Sequence, residues 1–133
     1  MITHQSVPVF TPDRIRELNQ TFNVSSTPEI LAWTWKQFGT RAAIGTSFQG
    51  AGLVMMHIAK ECGLRFPVFT LDTGLLFPET LELKKRLEDF FGFEIESQVP
   101  DLTVEQQNEA IGPELWKTNP DLCCTMRKVQ PLR

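Results

Sequence analysis

The sequence predicts an α/β protein, with a parallel sheet and helices on both of its faces. Three observations predict it. Short apolar runs alternate with helix-length segments from about residue 42 onward. The helical segments open on cap, proline and acid signals and stop at glycines such as Gly39, Gly63 and Gly92. Polar, glycine-containing loops follow the first two apolar runs. Strand, helix, strand repetition requires parallel crossovers, because a parallel neighbour can be reached only by crossing a face of the sheet.

Residues 1–10 read as a loose lead-in. Thr11-Pro12-Asp13 starts a helix to about Phe22, and Thr27-Pro28-Glu29 starts a second that carries Trp33, Trp35 and Phe38. Ala42-Ala43-Ile44 is the first strand. The loop Gly45-Thr46-Ser47-Phe48-Gln49-Gly50 leads into a helix from about Ala51 to Glu61, apolar nearly all round and expected to be buried. Phe66 to Leu71 is the second strand and ends in Asp72-Thr73-Gly74. A helix over Pro78 to Phe91 and a strand over Phe93 to Val99 follow, then a helix from Thr103 to Ile111 and a last one from about Asn119-Pro120.

Composition narrows the function classes. A chain of 133 residues with 41% hydrophobic and 22% charged residues fits one globular domain. A net charge of -3 gives no general field for nucleic acid, so no nucleic-acid partner is expected. No apolar run reaches membrane-span length, and MITHQSVPVF lacks the basic and apolar regions of a secretory signal. Three cysteines, two of them adjacent, make a poor disulfide framework, so a cytoplasmic chain is expected.

Three constellations could carry chemistry. The loop at Thr46, Ser47, Phe48 and Gly50 joins a strand to a helix start, where backbone N–H groups and the helix dipole can hold phosphate; it lacks a Walker lysine, and a plain glycine-rich turn also fits. Leu71, Asp72, Thr73 and Gly74 place an acceptor and a donor at the end of the second strand, where open parallel sheets bind ligands; a simple turn fits as well. In Asn119-Pro120-Asp121-Leu122-Cys123-Cys124 the cap and proline put both thiols near the first helical turn, where the dipole favours thiolate. Arg127 and Lys128 follow Cys123 and Cys124 at four-residue spacing, which puts each cation on the face of one thiol. Thiolates suit soft metals and iron–sulfur clusters, while two buried cysteines backed by surface cations are the alternative. Cys62 and His57 are expected to be packed inside, and His4 belongs to the lead-in.

In this order and spacing, the Thr-Ser-Phe loop, Leu-Asp-Thr-Gly with Leu-Phe-Pro-Glu-Thr, and Cys-Cys with Arg-Lys-Val and Pro-Leu-Arg resemble the assimilatory sulfonucleotide reductases, from about Arg41 to Arg133. The resemblance implies an adenine-nucleotide α-hydrolase-like fold with a modified pyrophosphatase loop. It divides the single domain into a helical lead-in over 1–40 and a nucleotide-binding α/β part over 41–133. It implies thioredoxin-dependent reduction of adenylyl sulfate, or phosphoadenylyl sulfate, to sulfite and AMP or the bisphosphate. Thr46, Ser47, Phe48 and Gly50 would face the sulfate-phosphate end, and Leu71, Asp72, Thr73 and Gly74 the adenosine. Cys123 and Cys124 would be half the ligands of a 4Fe-4S cluster, with Lys128 linking cluster to substrate and Arg127 beside it. The pair favours the adenylyl-sulfate branch. Ala51-Gly52 departs from the acidic residues common in the family's loop.

The family's second Cys-x-x-Cys and its C-terminal nucleophilic cysteine lie in no part of these 133 residues, so the expectation is a substrate-binding part, inactive alone and incomplete at its C-terminal side, with homo-oligomerisation as one route to a full ligand set. Two other functions stay open: an adenine-nucleotide-binding module without redox activity, and an ATP pyrophosphatase-type adenylylating enzyme. The latter usually has a Ser-Gly-Gly-x-Asp-Ser loop that Phe48 to Gly52 does not supply.

Overall fold

The computed structural model describes residues 8–133, so His4 and most of the loose segment over residues 1–10 lie outside the described residues. Helix α1 spans Pro12–Phe22, with the Thr11 hydroxyl accepting from the Arg14 N–H as its cap. Helix α2 spans Thr27–Phe38. Its cap is Ser26, one residue earlier than the Thr-Pro signal suggests, because Ser26 and Glu29 form a reciprocal capping box. Trp33 and Trp35 face different ways, as their two-residue spacing requires. Trp33 meets Phe22 at 5.0 Å and Trp35 meets Phe66 at 5.2 Å.

The sheet has three parallel strands in the order β1 (Ile44–Gly45), β2 (Val68–Leu71), β3 (Glu96–Gln98). Each strand is shorter than its apolar run, for a visible reason. Ala42 donates its N–H into the 3-10 turn Gly39–Arg41 instead of a ladder. Pro67 has no N–H and only accepts, from Ile44, so β2 begins at Val68. The Ile95 N–H goes to the Glu88 carboxylate, which leaves β3 to start at Glu96.

Helix α3 spans Gly50–Glu61 and α4 spans Pro78–Phe91. Contrary to the sequence expectation, α3 is not buried all round. Only Met56 and Ala59 are fully inside, Val54 is 56% exposed, and His57 and Cys62 are exposed too. Two-residue β1 offers the helix little sheet to lie on, so one stripe turns inward and the rest meets solvent. The core joins Leu31, Ile44, Phe48, Met56, Ala59, Phe66, Val68, Phe91 and Ile95.

After β3 come α5 (Val104–Ile111), capped by Thr103 and Gln106, and α6 (Leu115–Thr118), which the sequence pattern did not reveal. Helix α7 (Pro120–Cys124) is capped by Asn119 and runs into a π-helical turn at Thr125–Val129 and a 3-10 turn at Gln130–Leu132. Among the described residues no helix is long and apolar enough to cross a membrane.

Candidate nucleotide site and cysteine pair

Parallel strands bring the loops after β1, β2 and β3 to one end of the sheet. In the β1 loop the side chains alternate. Thr46 is buried and its hydroxyl accepts from the Phe48 N–H at 2.9 Å. Phe48 has φ of 66° and drives its ring into the core, an unusual backbone state for a bulky residue that the buried ring holds in place. Ser47, Gln49 and Gly50 remain exposed. Of the four residues expected at the sulfate-phosphate end, Ser47 and Gly50 therefore offer surface to a ligand. Thr46 and Phe48 hold the loop's shape.

The β2 end is also pinned from within. Asp72 donates its N–H to the Gln98 carbonyl at 2.9 Å, and its Oδ1 accepts from the Gly74 N–H at 2.9 Å. The Thr73 hydroxyl accepts from the Leu75 N–H at 3.2 Å. Gly74 has φ of +74°. Together these make a tight Asx turn in which Asp72 is half-buried and Leu71 still lies in the strand.

The two long helices that open from these loops start without a side-chain cap. Helices α1, α2, α5 and α7 each begin with one, whereas α3 and α4 begin at Gln49 and Phe77 without it, as does the four-residue α6 at Glu114. Their leading N–H groups have no side-chain acceptor, which suits them to an anion.

A cleft of about 300 Å³ opens at this end between the β2 turn and the loop after β3. Asp72, Gly74, Val99, Leu102, Val104 and Arg127 are among its walls. The β3 loop was missed at the sequence level, although the strand-end rule applies to it as much as to the other two. A larger cavity of about 620 Å³ lies at the amino ends of the strands, among Ile44, Met56, Phe66, Val68 and Phe91. It is mostly apolar and far in the fold from the polar loops, so the candidate site stays at the carboxyl ends.

The faces of the C-terminal helix are as the four-residue spacing predicts. Cys123 and Arg127 turn inward, at 6% and 3% exposure, while Cys124 and Lys128 face solvent. Arg127 nevertheless does a different job from a cation beside a thiol. Its Nε donates to the Thr73 carbonyl, and its Nη1 donates to the Leu102 carbonyl at 3.1 Å and to Gln107 Oε1 at 3.0 Å. Gln107, fully buried, was also missed; a glutamine on a short helix gives no signal of burial in sequence.

Cys123 and Cys124 are soft donors suited to an iron–sulfur group. The described residues contain no cluster of three or more potential metal ligands, so they supply two donors where such a group takes four. Cys62 ends α3, before the amino end of β2, and is not a third member of the pair.

Comparison with known proteins fits this geometry. Residues 41–133 match the family described as the phosphoadenosine phosphosulfate reductase domain. The chain is 38% identical over 129 residues to an adenosine 5'-phosphosulfate reductase of Salinibacter ruber, covering 97% of this chain and 51% of that protein. It is 35% identical over 106 residues to adenosine 5'-phosphosulfate reductase 2 of Bacillus subtilis, covering 79% of this chain and 45% of that one. The chain thus spans about half the length of these relatives. In fold it resembles the phosphoadenylyl-sulfate reductase of Candida auris, solved as a phosphate complex, with a TM-score of 0.84 at 24% identity over 96% of this chain and 63% of the other. The chain belongs to the phosphoadenosine phosphosulfate reductase domain family.

Proposed function

We propose that this chain is the nucleotide-binding part of a sulfonucleotide reductase that reduces adenylyl sulfate, or its 3'-phosphorylated form, to sulfite and AMP or the bisphosphate, with thioredoxin as electron donor. One observation carries the binding half of this reading. The helices following β1 and β2 both start without side-chain caps, next to Ser47 and to the Asp72–Thr73–Gly74 turn, at the carboxyl end of a parallel sheet.

In this reading the exposed Ser47 and the backbone at Gly50 meet the sulfate-phosphate end. Leu71, Asp72, Thr73 and Gly74 meet the adenosine through backbone groups and the half-buried Asp72 carboxylate. Thr46 and Phe48 act by fixing the loop. Cys123 and Cys124 offer two of the four thiolates of a 4Fe-4S cluster, and exposed Lys128 is free to approach an anionic substrate. The cluster, when bound, would supply electrostatic and redox tuning beside the substrate. Two thiols do not complete it.

Calorimetric titration of the folded chain with AMP, adenylyl sulfate and ATP tests the reading. Binding of AMP and adenylyl sulfate, with ATP no better than AMP, is the expected result. Tighter binding of ATP would favour an adenylylating enzyme. No heat with any of them at millimolar concentration would remove the nucleotide reading altogether.

A further inference from the structure

The C-terminal arm, from Leu115 to Arg133, makes its densest contacts within itself, α6 with α7 and α7 with the π turn. Its inward-facing residues are few: Leu115, Cys123 and Arg127. Arg127 alone among these reaches three separate segments, the turn after β2 at Thr73, the loop after β3 at Leu102, and α5 at Gln107. None of the three acceptors carries a charge. A buried guanidinium with only neutral partners is costly to desolvate, and its retention is a matter of geometry and not of charge pairing.

The fit is close on every side. A Cβ on Gly74 would lie 3.1 Å from Arg127 Nη2 and 3.3 Å from Val104 Cγ2. The Gln107 amide has its oxygen fixed by Arg127, and its Nε2 is buried with no acceptor. Flipping that amide would set its NH₂ against the guanidinium, so the acceptor position is determined by Arg127. Arg127 also stands in the π-helical turn, an irregular winding often found where a helix must place a side chain off the regular spiral.

We infer that Arg127 is a positioning residue, a latch that holds the cysteine-bearing arm against the Asp72–Thr73–Gly74 turn and couples the two. Ordering of the turn by a bound nucleotide strengthens the hold on the arm and shields Cys123. Loss of the latch frees the arm and uncovers Cys123, while the sheet core stays folded. The coupling half of this inference rests on the nucleotide reading above; the latch half does not. By linkage the effect runs both ways, so releasing the arm also weakens nucleotide binding.

The experiment measures iodoacetamide alkylation of each cysteine by mass spectrometry, with exposed Cys62 as the internal reference. In the unmodified chain Cys62 and Cys124 are expected to label quickly and Cys123 slowly. In Arg127→Met, Cys123 labelling should rise by about tenfold or more relative to Cys62, with hydrogen exchange in residues 53–59 unchanged; the exposed control Arg86→Met should leave it alone. An unchanged Cys123 rate in Arg127→Met overturns the latch. So does a rise in Cys123 labelling matched by an equal loss of protection in residues 53–59, which would mean general destabilisation. If Arg127→Met does not fold, Gln107→Leu, which removes one of the three acceptors, takes its place and should raise the rate severalfold; no rise there overturns the latch equally. Saturating AMP should slow Cys123 labelling in the unmodified chain and have no effect in Arg127→Met. AMP that binds by calorimetry without slowing Cys123 overturns the coupling. AMP that does not bind overturns the nucleotide reading and the coupling with it, and leaves the ligand-free comparison to decide the latch.

Discussion

The hydroxyl oxygen of Thr46 occupies the space that a side chain on Gly52 would need: a Cβ there would stand 2.4 Å from Thr46 Oγ1 and 3.0 Å from its Cβ. That hydroxyl is already committed to the Phe48 N–H, so it has no free direction in which to withdraw. Gly→Ala inside a helix ordinarily stabilises by about 1 kcal/mol. Overpacking a tight site costs about 1–3 kcal/mol, so Gly52→Ala should be a net loss of up to about 2 kcal/mol. Denaturant titration measures this. In a Thr46→Ala background the second substitution should cost less, and a Gly52→Ala chain more stable than the original would show that the loop gives way easily.

Asp72 separates two roles that one carboxylate can play. Its Oδ1 holds the Gly74 N–H, and asparagine can do the same. Asp72→Asn is therefore expected to keep the turn and fold while testing the charge, whereas Asp72→Ala loses both. Calorimetry with AMP should show Asp72→Ala weakening binding by about tenfold, on the scale of one hydrogen bond to a charged group, and Glu82→Ala leaving it unchanged. Full affinity in Asp72→Asn would assign Asp72 to the turn. Full affinity in Asp72→Ala would remove it from the site.

What was legible in the sequence were features set by local chemistry. Thr11 and Asn119 cap helices as their neighbouring prolines suggest, Thr103 forms the start of α5, and Gly92 ends α4 in the left-handed state. The parallel order follows from alternation of elements alone. Burial was less legible because it depends on what lies opposite. His57 and Cys62 sit among apolar neighbours in the chain, yet only one stripe of α3 finds a partner, and both are exposed. Arg127 shows the same limit from the other side. Spacing placed it on the Cys123 face, but three acceptors between 20 and 54 residues away decide what it does there. Phe48 lies in a loop that reads as ligand-binding, and its ring is core.

Glu29 gives a pH dependence with a definite sign. Hydrogen bonds from the Ser26 backbone N–H, then from its hydroxyl, hold the Glu29 carboxyl below its ordinary value. A carboxyl depressed in the folded state binds its proton more readily when unfolded. Its contribution is therefore present above the unfolded value and is lost as pH falls through the lower, folded one. Thermal melts of the original chain and of Glu29→Gln should differ slightly at neutral pH and converge in acid below the ordinary carboxylate range. The group is exposed, so the gap should be small. A gap that widens in acid would contradict the capping-box assignment.

The cysteine pair sets the last expectation. The chain has three cysteines, and a four-iron cluster takes four thiolates. Cys62 is exposed at the end of α3, before the strand that leads toward the candidate site, so it does not join Cys123 and Cys124 in one cluster. These 133 residues by themselves should thus fail to hold such a cluster, and with Cys62 at the end of α3 away from the polar loops and Cys123 and Cys124 taken as cluster ligands, they should release no sulfite with thioredoxin and adenylyl sulfate. The missing donors can come from a second copy with its own pair facing the first, or from further polypeptide carrying two more. Anaerobic reconstitution with iron and sulfide, read by iron content, visible absorbance and mass in solution, distinguishes them. A monomer holding about four irons would contradict the requirement for four thiolates. A dimer with one cluster, abolished by Cys123→Ser, would establish bridging between copies. Cys124→Ser should be equally damaging in that dimer, since each copy contributes both sulfurs, and if it retained full iron the exposed thiol would have no part in the site.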